Sequence, residues 1–172
     1  MWETIAGDAA AESRLWAETL LPEAEREQVA VFSPLADERF ALGLETIYEG
    51  YLVHYGAPRL FAPPDADTAL LLGDYLYAHG LVRVAELHDV GAVADLSELI
   101  SLCSQLRAED APGEGPLWAA TAALLGAGAL DEARAALRLH GDAAPLEATA
   151  RAAAGDAAVD SALAAHAGRL RA

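Results

Sequence analysis

The chain has 172 residues, with 27 acids against 11 arginines and no lysine, for a formal net charge of -16 at pH 7. Such a surface repels phosphate backbones and anionic lipid heads, which excludes nucleic acid as a partner class and leaves solubility as the role of the acidic surface. The length suits a single domain, residues 1–172, and Cys103, the only cysteine, rules out an intrachain disulfide or a multi-cysteine zinc site.

The opening "MWETIAGDAAAESRLW" has neither the basic start nor the long apolar core of a secretory signal, so a reducing cytoplasm is the expected compartment. Apolar residues recur at helical spacing nearly throughout, and no alternating strand of five or more residues interrupts them. The sequence therefore predicts an all-α protein, a compact bundle of about seven to nine helices. A short helix is expected over Asp8 to Leu20 and a second from Pro22 to Phe32. Ser33 as N-cap, Pro34 at the first helical position and Gly56 as a stop define the clearest helix. Its apolar face is Phe40, Leu44, Ile47, Tyr48, Tyr51, Leu52 and Tyr55, expected in the core, while Glu38, Glu45 and Glu49 lie on a different side.

A proline-rich loop, "APRLFAPPD", separates that helix from one capped by Asp65 and running to about Leu87. At about 100 degrees per residue, Asp74 shares a side of this helix with Tyr77, Ala78, Leu81 and Ala85. A carboxylate among apolar neighbours is expected to be buried and supplied with donors. Gly73 and Gly80, one heptad apart, mark a seam for close approach of another helix. A fifth helix covers about Val90 to Ala108, with Cys103 on its apolar face as an unreactive buried thiol. Residues 109–116, "EDAPGEGP", are the best internal boundary, because 23 of the 57 residues from Pro116 to Ala172 are alanine. That Ala-rich C-terminal subdomain, 116–172, is expected to form a helical hairpin (Pro116 to Gly126, Ala129 to His140) and two terminal helices. Its longest weakly polar run is about 15 residues, short of the roughly 20 a membrane span requires.

"ALLLGDYLYAHGLVRVAEL" (69–87) resembles the "aGDyLla.a...la" segment of the trans-isoprenyl (polyprenyl) diphosphate synthases, and flanking segments follow that family's order from about Leu42 to Asp142. The resemblance implies a truncated isoprenoid-synthase-like fold, a tendency to dimerise, and an apolar cavity. It also implies what is missing. Family chemistry needs two aspartate-rich motifs to hold magnesium against a diphosphate. Here Tyr48, Glu49, Gly50, Tyr51, Leu52, Val53, His54 and Tyr55 stand where the first should lie. Only separated Asp156 and Asp160 stand near the second, and Ala120 precedes Thr121 where the family has a lysine.

The expected protein is therefore a non-catalytic relative, an interaction or accessory subunit that self-associates or pairs with a catalytic homologue, with no cofactor and no catalytic residue. A second reading makes it a carrier of an isoprenoid or another apolar ligand, with Tyr48, Tyr51, Tyr55, Arg59 and Asp74 as ligand-binding candidates. Against it stands the simpler reading that the tyrosines fill the core or an interface and that Asp74 pins a helix. A third is a metal-dependent hydrolase with His88 and Asp89 as weak metal candidates, which otherwise simply end a helix, with Asp95 and Glu98 charging the start of the next. His79, His140 and His166 sit among alanines and charges and are expected at the surface.

Overall fold

The computed structural model describes residues 1–170, which form nine α-helices, three short 3-10 turns and two isolated bridges, with no strand among them. The helices are α1 (Trp2–Glu12), α2 (Arg14–Thr19), α3 (Ala41–Tyr55), α4 (Ala66–Ala85), α5 (Val90–Ala108), α6 (Glu114–Ala123), α7 (Asp131–His140), α8 (Ala144–Ala154) and α9 (Asp156–Ala167). The all-α expectation holds. Among the described residues, no helix is long and apolar enough to cross a membrane.

The N-terminal third departs from the pattern. Helix starts at Trp2 and breaks at Ser13, whose extended backbone lets its side chain accept from the Leu15 amide and cap α2. From Pro22 to Phe32 the chain contains one 3-10 turn, Glu23–Glu25, and is otherwise non-helical, with a bend at residues 31–32. Good helix formers are overruled there by partners elsewhere in the fold. The Glu27 amide donates to the Arg59 carbonyl, and the amides of Val31 and Ser33 both donate to Glu45 Oε1. Ser33 opens a 3-10 turn instead of capping α3, and Asp37 caps a second turn before the α-helix begins at Ala41.

Helix α3 is the axis of the molecule, with every residue from Gly43 to Val53 buried. A helix covered on all sides needs no polar stripe, so its glutamates do not mark water. Its closest neighbour is α4, which runs antiparallel to it. Gly43 opposes Gly80 and Gly50 opposes Gly73, so the two backbones approach without intervening side chains. A Cβ added at Gly50 would lie 2.9 Å from the Gly73 carbonyl oxygen. The close-approach seam anticipated at Gly73 and Gly80 is thus real but internal, and α3 fills it.

Two apolar clusters flank α3. The larger runs from Val31 and Phe32 through α3, α5 and α6 to Leu146, Val159 and Ala162. The smaller joins Ile5 and Ala9 of α1 to Val53, Leu60, Phe61, Leu72 and Leu76, with Trp2 and Trp16 packed against it. The alanine-rich end does not form the expected α6–α7 hairpin. Helix α6 packs on α8 and α9, while α7 lies against α8 and reaches α5 through Arg134, which pairs with Asp95. Small side chains at Ala119, Ala120, Ala122 and Ala150 are all buried and permit this close stacking.

Candidate functional site

The aromatic stripe of α3 converges on an aromatic core. Tyr48 and Tyr51 are fully buried, with Tyr48 edge-on to Trp118 at 5.0 Å between ring centroids and Phe32 stacked on the same indole at 5.4 Å. His166 of α9 closes the group, its Nδ1 lying 3.0 Å from the Tyr48 hydroxyl. It is buried, contrary to the surface position expected for it, because the small residues around it let the imidazole sink against Phe32, Tyr48 and Tyr51. Burial, aided by the Arg107 guanidinium, holds its pKa down to about 4, so the ring is neutral at pH 7. The Tyr51 hydroxyl accepts from Arg107, which also binds Glu114. Tyr55 is half-buried beside the same guanidinium.

Tyr48, Tyr51, Phe32, Trp118 and His166 thus pack against one another as a core. A surface recess of about 550 Å³ lies elsewhere, bounded by Leu21, Pro58, Phe61, Pro63, Asp65 and Ala69, and no stripe tyrosine lines it.

Arg59 is not at a cavity mouth. It is fully buried between Glu45 and Glu49, which lie one turn apart on α3 and are fully buried themselves. Its Nε donates to Glu49 Oε2 at 2.8 Å, one terminal nitrogen donates to Glu45 Oε2 and the Val29 carbonyl, and the other to the Glu45 carbonyl. Glu49 Oε1 also accepts from the amides of Arg59 and Leu60. Burial works against the guanidinium charge, but the two carboxylates outweigh it and raise its pKa. The arrangement fastens residues 27–33 and 59–60 to α3, with Trp2 covering the guanidinium face at 4.7 Å. Its signal in the sequence is two glutamates one turn apart on a helix otherwise almost without polar side chains.

Asp74 is the clearest correction. It is not buried: its side chain is 65% exposed, and its Oδ1 lies 3.3 Å from His54 Nε2 without hydrogen-bond geometry. Burial lowers the His54 pKa and outweighs the pull of Asp74, so the carboxylate faces a neutral ring. The group expected on its side is split: Tyr77 turns into the core, while the others do not, so for Asp74 the expected direction is reversed. Asp74, Ala78, Leu81 and Ala85 face away from α3, while Leu72, Gly73, Leu76, Tyr77, Gly80 and Val84 are buried.

His88 and Asp89 do not converge. His88 is exposed at a left-handed backbone position with φ of 59°. Asp89 caps α5 through Oδ1 and pairs with Arg39 at 2.9 Å through Oδ2. No three His, Cys, Asp or Glu side chains gather as a metal centre would require among the described residues. Cys103 is fully buried, and burial pushes its thiol well above the ordinary range, as a core cysteine should be.

What remains open is the outer side of α4. Leu70, Leu71 and Val82 are 54%, 56% and 54% exposed, and Val90, which opens α5, is 81% exposed. Scattered surface leucines are ordinary, but an aligned apolar strip on one helix marks a contact surface. No family model matches the chain, and neither the curated proteins nor the solved structures yield a match.

Proposed function

We propose that the chain is a non-catalytic helical interaction protein, an accessory subunit that binds another protein through the outer side of α4. One observation carries this reading: the face of α4 that its sequence pattern makes apolar is left uncovered, whereas the side bearing the glycines is used within the fold. In support of the non-catalytic reading, no three His, Cys, Asp or Glu side chains gather among the described residues as a magnesium site for prenyl transfer would need. The nearest candidates, Arg59, Glu49 and Glu45, are sealed into the core. The resemblance of Leu42 to Asp142 to prenyl synthases makes a catalytic homologue the first partner to try, in a cytoplasmic setting that suits a lone buried thiol.

The test compares two baits, the native chain and the Leu71→Glu/Val82→Glu variant, by quantitative pull-down and by mixing with a prenyl synthase from the same genome under light scattering. A protein retained in stoichiometric amount by the native chain and lost from the variant supports the reading. Identical retention on both baits, with a strictly monomeric native chain, refutes it.

A further inference from the structure

The chemistry of the partner can be taken further, resting on the interaction reading above. At helical spacing Asp67, Leu70, Leu71, Asp74, Ala78, Leu81, Val82 and Ala85 fall within about 120° of one another on the outer side of α4. Leucines and alanines at these intervals make the kind of track into which an amphipathic helix lays its own apolar face. Two carboxylates stand within that track, one heptad and about 10.5 Å apart along the axis. Asp74 faces only the neutral His54.

Among the described residues no lysine or arginine is left for them. The chain has no lysine, and each of the ten arginines among the described residues already pairs with one of its own carboxylates: Arg14 with Glu18, Arg83 with Asp8 and Arg138 with Glu98 are typical. A second copy would bring the same acids and the same net charge of -16 to the contact, and an anionic lipid surface would be repelled in the same way.

We propose that the outer face of α4 receives a cationic amphipathic helix of a different protein, one whose leucine-type side chains pack on Leu70, Leu71, Ala78 and Val82 while two Arg or Lys residues one heptad apart meet Asp67 and Asp74. The carboxylates select charge and fix register, and the apolar track supplies the attraction.

The probe is a pair of fluorescent 18-residue helical peptides rich in leucine and alanine. One carries two arginines seven residues apart on the edge of its apolar face, and the other carries glutamates at the same places. Binding is followed by anisotropy with the native chain, with Leu71→Asn, and with Asp67→Lys/Asp74→Lys. All substituted positions are exposed, and circular dichroism checks that the variants stay helical. The native chain is expected to bind the arginine peptide at least tenfold more tightly than the glutamate peptide. The preference should fall with added salt and reverse in the charge-swapped variant, and Leu71→Asn should weaken both. An arginine-peptide affinity that is absent, or unchanged in both variants, overturns the proposal.

So does sedimentation showing a native dimer that Leu71→Glu dissociates, or binding to anionic vesicles abolished by that substitution. Those outcomes remove the cationic helix as occupant and leave the outer face of α4 as a contact surface. The interaction reading itself falls separately, when Leu71→Glu/Val82→Glu changes no association of any kind.

Discussion

Acidification should weaken this fold through His166, by an amount that follows from its burial. The imidazole titrates near 4 in the folded chain and near its ordinary 6.5 when unfolded. A folded-state value below the unfolded one means that the folded state prefers the neutral ring. The associated stability is fully present above pH 6.5 and is lost as the pH falls toward 4. Each pH unit in that window costs about 1.4 kcal/mol, so about 2 kcal/mol is gone by pH 5 and about 3.4 kcal/mol once the folded-state ring is itself protonated. Urea unfolding at pH 7.5 and pH 5.0, for the native chain and for His166→Phe, isolates the contribution, because carboxylate titrations are common to both proteins. The native chain should lose about 2 kcal/mol more than the variant between the two conditions. Equal losses would show that the ring reaches water in the folded state, and the packing of His166 on Phe32, Tyr48 and Tyr51 described above would be wrong.

Two further outcomes bear on α3. Glu49→Gln leaves Arg59 with one carboxylate in a dry interior and should cost about 3–5 kcal/mol in chemical denaturation. Replacing Glu45, Glu49 and Arg59 together with apolar residues should not restore that loss, because the amides of Val31, Ser33 and Leu60 would also lose their acceptors. Gly50→Ala drives a methyl group against the α4 backbone and should cost about 1–3 kcal/mol by the same measurement. A neutral result there would mean that α3 and α4 sit farther apart than the glycine pairs indicate.

Helical periodicity made the α3, α4 and α5 segments legible, including the Gly56 stop and the cap at Asp65, since these depend on residues within a turn of each other, whereas the cap that Asp89 gives α5 was not read from the sequence. Direction was harder. Asp74, Ala78, Leu81 and Ala85 do share a side of α4, from which Tyr77 departs into the core, but an apolar side ordinarily turns inward, and the sequence does not show that the glycine side takes α3. The glutamates of α3 misled for the converse reason. Charge ordinarily marks water, and the partner that takes Glu45 and Glu49 inside is Arg59, in the loop that follows the helix. Residues 26–32 favour helix locally and lose that preference to acceptors on α3 and Arg59. His166 offers no local cue, because a histidine among alanines becomes buried only where Phe32, Tyr48 and Tyr51 from elsewhere build a pocket around it.

The backbone contact between α3 and α4 has a mechanical consequence. Two helices locked glycine to glycine, one of them further bolted through Arg59 to the segments around it, form a stiff plate with little internal slack. Whatever lands on the outer side of that plate meets a surface that loses almost no freedom on being covered, so the entropic toll of association falls almost wholly on the incoming molecule.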